Sequence, residues 1–189
     1  MNILLTGIGG QGIITLKKVL SYAVLKEGKF FRSSELHGLS QKGGEVLVHF
    51  RIADQEIFSP LIEKGGADLI ISLDLHQASR VVDFASKKTI FIVDNSFSPF
   101  FQLKKFSQSD FLKITSPFFS KKIFILEASK ICQEKLDSDV YKGTALLGFA
   151  CFQKIIPLKE KSMTWALKKV FPADLFQKNK KAFLLGKTL

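Results

Sequence analysis

Hydrophobic residues along this chain change period in a way that marks out alternating strands and helices. "NILLT" at 2–6 is a short apolar run closed by glycine, the pattern of a strand buried on both faces. Ile13, Ile14, Leu16, Val19, Leu20, Ala23 and Val24 then recur at helical spacing up to Gly28, predicting a helix over 13–26. "KFFRSSEL" at 29–36 predicts a second strand, as a βαβ unit requires. The rhythm then breaks. "HGLSQKGG" is too short for a crossover helix, "EVLVHFRI" at 45–52 alternates strongly, and "IFSPLI" at 57–62 reads as its antiparallel partner across the turn "ADQE". Strands resume at "ADLIISLD", "KTIFIVDN" and "KIFILEA", with helices expected over 75–86, 129–136, 141–156 and a closing one over 161–171. The expectation is a Rossmann-like three-layer α/β fold: a mixed sheet with a hairpin after the second strand and helices on both faces. It forms a single domain over 1–189, for which the length is ample.

Composition narrows the classes. A 46% hydrophobic, 24% charged chain is ordinary for a globular protein, and "ALLGFACF" is far too short to cross a bilayer, so no membrane partner is expected. No signal-peptide pattern precedes the first strand, and the expected location is the cytoplasm. The formal charge of +11 is spread as lysine pairs without a dense block, which reads as solvated surface and not as a nucleic-acid site. Residues 97–124 carry eight of the 19 phenylalanines without nearby Arg, read as core and inter-subunit packing. Cys132 and Cys151 sit apart in apolar segments and read as buried free thiols; two cannot hold an iron–sulfur cluster or a structural zinc, which want about four ligands.

Two stretches carry candidate chemistry. In "GIGGQG", Gly7, Gly9 and Gly12 form a Gly-x-Gly-x-x-Gly loop between strand and helix, with Gly10 and Gln11 inside it. Such a loop suits a tight turn, close approach of backbone to phosphate and close helix packing. A purely structural turn fits equally well at this level. No Walker lysine follows, so an ATPase is disfavoured. Glu35, 23 residues past Gly12, falls where a ribose-reading acid stands in dinucleotide folds, but the crossover helix is missing. The second stretch gathers Glu35, His37, Gly38, Ser40, Gln41, Lys42, Gly43 and Gly44 in a loop at a strand end, where binding groups collect on rigid scaffolds. His49 reads as structural and His76 as surface; no catalytic residue or metal ligand is assigned.

"GIGGQG", "SSELHGLSQKGGEVLVHFRI", "FSPLIEKGGADLII" and "LDLHQASR" together resemble the gamma-type subunits of the 2-oxoacid:ferredoxin oxidoreductases, the indolepyruvate branch being nearest. The likeness resumes weakly at "IVDNS", "FILEASKIC", "TALLGF" and "NKKAFLLG", and so spans nearly the whole chain. Gly143 stands where the family commonly has Asn, and Asp74-Leu75 where it has Glu-Pro. The resemblance implies an accessory subunit of an enzyme that oxidatively decarboxylates a 2-oxoacid to an acyl-CoA. It implies a large catalytic subunit as partner, thiamine diphosphate and iron–sulfur clusters held on that partner, ferredoxin as acceptor through the complex, and coenzyme A as a candidate ligand here. The isolated chain, holding no cofactor of its own, is expected to be inactive. A homodimer is a further candidate assembly. A free-standing dinucleotide-binding oxidoreductase and a non-enzymatic binding protein are the alternatives.

Overall fold

A computed structural model describes residues 1–38, 43–98, 106–119 and 122–189. The chain runs β1 (Asn2–Ile8), α1 (Ile13–Lys26), β2 (Phe30–His37), β3 (Glu45–Ala53), β4 (Leu69–Ser72), α2 (Leu75–Arg80), β5 (Ile90–Asp94), α3 (Gln108–Phe119), β6 (Ile123–Leu126), α4 (Ala128–Leu136), α5 (Lys142–Phe152), α6 (Glu160–Val170) and α7 (Ala173–Leu185). The six strands lie in the order β2-β3-β1-β4-β5-β6. β1, β4, β5 and β6 are parallel, while β3 is antiparallel to both β1 and β2.

The period of two in β1 sends Ile3 and Leu5 to one core and Leu4 to the other. The first core packs α1, α4, α5, α6 and α7 against the sheet; the second packs α2 and α3. This is the expected mixed sheet between two helical layers.

Three details depart from expectation. The hairpin is made by β2 and β3, which pair from Phe30↔Ala53 to His37↔Val46. β3, and not β2, then lies beside β1, so the α1 crossover joins two parallel strands that are separated by β3 and do not pair with each other. Residues 57–62 form no strand; their backbone is held by side chains instead. Arg32 Nε donates to Ile57 O (3.0 Å), Arg51 Nη1 to Ser59 O (2.8 Å), and Ile62 N to His49 Nδ1 (3.0 Å). The helix expected over 75–86 stops at Arg80 and continues as a short 3-10 turn, and two helices, α3 and α7, appear where none was expected. α5 is buried at ten of its eleven positions because α7 lies across it. Gly148 and Gly186 let the two approach: a Cβ on Gly148 would meet the Phe183 carbonyl oxygen at 2.0 Å.

Candidate functional site

The carboxyl ends of β1, β2, β4, β5 and β6 and the amino end of β3 lie along one edge of the sheet. The glycine loop and the 35–44 stretch meet there. Gly9 N donates to Gly44 O (2.8 Å), and Gly38 N to Glu45 O (2.9 Å) at the hairpin mouth. Positive φ falls on Gly10 (100°), Gly12 (88°) and Gly43 (80°), the positions where a side chain is strained. At Gly10 and Gly12 a Cβ would meet nothing within 4 Å, so the loop faces open space. Gly7 differs: a Cβ there would meet Gln11 Oε1 at 2.7 Å and the Ile13 side chain at 3.0 Å, so those side chains would have to shift to admit it.

The loop leads into an open helix end. Gly12 caps α1 without a side-chain bond, and no acid stands in the first turn. The first N–H groups of an α-helix have no intrahelical acceptor, and with the helix dipole they favour an anion. Beside this end lies a mostly apolar cavity of about 190 Å³, lined by Gln11, Gly12, Thr15, Tyr141, Thr144 and Asn179 among others. Thr144 Oγ1 donates to Asn179 Oδ1 (2.8 Å) on its wall.

Side chains from three strand ends brace the edge. Gln11 Oε1 accepts from Ile8 N (2.8 Å) and its Nε2 donates to Ser98 Oγ (3.1 Å). Ser98 N in turn donates to Asp74 Oδ2 (2.7 Å), while Asp74 Oδ1 caps α2 through His76 N and Gln77 N. Asp94, fully buried at the end of β5, accepts from Ser129 N at Oδ1 and faces the ammonium of the buried Lys142 at 3.6 Å through Oδ2. Lys142 Nζ also donates to Ser96 Oγ (3.1 Å). Asp74, Asp94, Ser98 and Lys142 were absent from the sequence-based site. Signals existed: a lysine opening a uniformly apolar helix, and aspartates closing apolar strands.

The remaining predicted residues divide. Glu35 lies in β2 and is ion-paired to Lys17 of α1. Because β3 intervenes, β2 runs about 10 Å from β1 at ordinary strand spacing; the acid of a dinucleotide fold stands instead on the neighbouring strand. His37 ends β2 at the edge. Ser40, Gln41 and Lys42 lie outside the described residues. His49 is buried, its basicity lowered by desolvation, in edge contact with Phe84. His76 is partly buried against Phe106, and burial and then the Arg80 charge lower its pKa. Burial pushes both thiols up to about 11. Two such thiols do not fit an iron–sulfur cluster, and among the described residues no group of three or more His, Cys, Asp or Glu is placed to hold a metal. Nor is any described helix long and apolar enough to cross a membrane.

Comparison with known proteins agrees with this architecture. Residues 2–189 match the family described as pyruvate ferredoxin/flavodoxin oxidoreductase. The indolepyruvate oxidoreductase subunit IorB of Archaeoglobus fulgidus is 39% identical over 50% of this chain and 46% of that one. IorB of Thermococcus kodakarensis is 27% identical over 98% of this chain and 93% of that protein. The crystal structure of a pyruvate oxidoreductase subunit from Thermotoga maritima superposes with a TM-score of 0.73 at 23% identity, covering 100% of this chain and 95% of that one. The chain belongs to the pyruvate ferredoxin/flavodoxin oxidoreductase family, whose relatives of this size are subunits of 2-oxoacid oxidoreductases.

Proposed function

We propose that residues 1–189 act as one gamma-type accessory domain of a thiamine-dependent 2-oxoacid:ferredoxin oxidoreductase. In this reading the sheet edge around Gly9 and Gly44 docks the large catalytic subunit, and the open end of α1 receives phosphate of coenzyme A. The partner's thiamine diphosphate and iron–sulfur clusters supply decarboxylation and electron transfer to ferredoxin. This chain contributes binding and orientation only. Indolepyruvate is the favoured 2-oxoacid because the relatives from Archaeoglobus fulgidus and Thermococcus kodakarensis described above carry that name. Two buried free thiols suit a reducing, cytoplasmic setting.

The observation that carries the reading is the Gly9–Gly44 hydrogen bond. It joins the two glycine-bearing stretches into one surface at the strand carboxyl ends, the usual ligand edge of α/β sheets. Backbone N–H donors beside an uncapped helix end are suited to phosphate; the apolar cavity next to them suits a less polar portion of the same ligand.

A matched pair of substitutions tests it. Gly10 (φ 100°) and Gly28 (φ 69°) both adopt left-handed backbone with open space for a Cβ, but Gly28 follows the far end of α1. Gly10→Val and Gly28→Val each incur backbone strain of about 1–2 kcal/mol. Only Gly10→Val should weaken assembly with the co-expressed large subunit or raise the KM for coenzyme A by about tenfold, equivalent to ~1.4 kcal/mol. Equal losses in both variants would make the loop structural and defeat the proposal.

A further inference from the structure

The outer faces of α1 and α6 form a second feature that the sheet edge does not use. On α1, Lys18, Tyr22, Leu25 and Lys26 fall at i, i+4, i+7 and i+8, one face of the helix. On α6, Lys161, Trp165, Lys168 and Lys169 repeat the same spacing. The helices pack together, and the rows meet where Tyr22 and Trp165 touch edge to face, ring centroids 6.2 Å apart. Tyr22 is 41% and Leu25 58% exposed. Lys26 and Lys169 lie over the Trp165 ring at 5.2 and 5.5 Å.

The charge on this face is one-sided. α1 contains no acid, and the acids that flank the two rows are engaged elsewhere: Glu27 accepts from Lys159 N, and Glu160 pairs with Lys187. Lys17 is taken by Glu35. Among the described residues, Lys18, Lys26, Lys161, Lys168 and Lys169 have no carboxylate in ion-pair reach. Five unneutralised ammonium groups on two packed helices repel one another, and they surround an exposed aromatic and aliphatic centre. Protein interfaces share that anatomy, with Trp and Tyr at the centre and charge at the rim.

We infer that the α1–α6 face docks a carboxylate-rich surface of the large subunit, a second contact separate from the sheet edge. The inference rests on the accessory-subunit reading above. Tyr22 lies ten residues beyond Gly12, roughly 15 Å along the helix, so the two contacts are distinct. The charge selects an acidic partner surface. A nucleic acid is disfavoured because the Trp165 ring, the natural stacking platform, is already covered by two lysines, and no Arg is present to stack on bases.

Trp165 is the only tryptophan in the sequence, so 5-fluorotryptophan labelling yields a single fluorine resonance from this face. The labelled chain is titrated with unlabelled large subunit at several salt concentrations, beside Lys168→Glu/Lys169→Glu, Gly10→Val and a charge-matched control, Lys178→Glu/Lys180→Glu on α7. Thermal melting verifies that each variant is folded. The expected result is a shifted resonance on assembly, an affinity loss of about tenfold or more for the α6 pair with a flatter salt dependence, and little change for the α7 pair. An unmoved resonance in a formed complex, or equal losses in both double variants, overturns the inference. So does a shift produced by single-stranded DNA or by self-association while the large subunit produces none. If the complex forms and only Gly10→Val weakens it, the sheet-edge reading survives alone. Failure of the wild-type chain to assemble overturns both.

Discussion

Asp74 should be the residue through which the glycine loop is braced most directly, and its removal can be read in two separable steps. Its fully buried carboxylate accepts three backbone hydrogen bonds, from His76 N (2.9 Å), Gln77 N (3.1 Å) and Ser98 N (2.7 Å). The first two cap α2. The third holds Ser98, whose hydroxyl accepts from Gln11, which in turn holds Ile8 N. Loss of a helix cap costs about 1–2 kcal/mol, and loss of a charge-assisted bond to a partly buried N–H costs about 1.5–3 kcal/mol. Asp74→Ala should therefore destabilise by about 3 kcal/mol, lowering Tm by roughly 6–12 °C in a chain of this size. Asp74→Asn can keep its carbonyl oxygen on the α2 cap, but then turns an NH2 donor towards the Ser98 N–H donor. It should lose about half as much stability, and its amide exchange should quicken at Ile8. Urea unfolding followed by circular dichroism gives the free energies, provided the m-value is unchanged. The reasoning fails if Asp74→Asn costs as much as Asp74→Ala, or if Ile8 exchange stays at the wild-type rate in both.

The α5–α7 contact gives a packing test. Gly148→Ala drives a Cβ to 2.0 Å from a backbone carbonyl, whereas Gly143→Ala meets only the end of the Leu16 side chain, at 2.7 Å. The first should cost about 2–3 kcal/mol and the second under about 1 kcal/mol by thermal melting, an order whose reversal would contradict the close fit of α7 against α5. His49 gives a pH test. Burial lowers its pKa in the folded state, so the unfolded chain takes the proton first and stability falls as pH drops through the unfolded value of about 6.5. The slope is at most about 1.4 kcal/mol per pH unit, lies above the carboxylate range, and should diminish in His49→Gln; unfolding curves at pH 7, 6 and 5 that are parallel for the two proteins would refute it.

Local periodicity was enough for the strand–glycine loop–helix start, because each of those elements is defined by its own residues. The apolar positions expected for α1 include six that are buried, from Ile13 to Val24. Which strand neighbours which is not a local property. The alternation in "EVLVHFRI" marks β3 correctly, but "IFSPLI" carries the same apolar signature for another reason. Ile57 and Ile62 are buried while Phe58 is 93% exposed, and the backbone between them is satisfied by Arg32, Arg51 and His49 side chains. α7 escaped notice because its lysines mask the period, although Asn179, Ala182 and Phe183 face the core and Pro172 stands at its N-cap. At the site, the meeting of the two glycine stretches was legible as a shared sheet edge. Asp94 and Lys142 each left a local signal, a charge at the end of an apolar element, but their pairing across 48 residues is set by the tertiary fold and by neither segment alone.

The nearly complete enclosure of α5 has a consequence for how the chain is made. An apolar helix covered on one side by the sheet and on the other by α7 has no finished environment until residues 173–185 have been synthesised. The 33 residues from the end of α5 to the end of α7 take roughly 2–7 s to add at ordinary elongation rates. During that interval the nascent chain presents a sticky helix to its surroundings or to chaperones. A stalled or truncated chain would keep that signal displayed, marking it for degradation before it could occupy a place in an assembly.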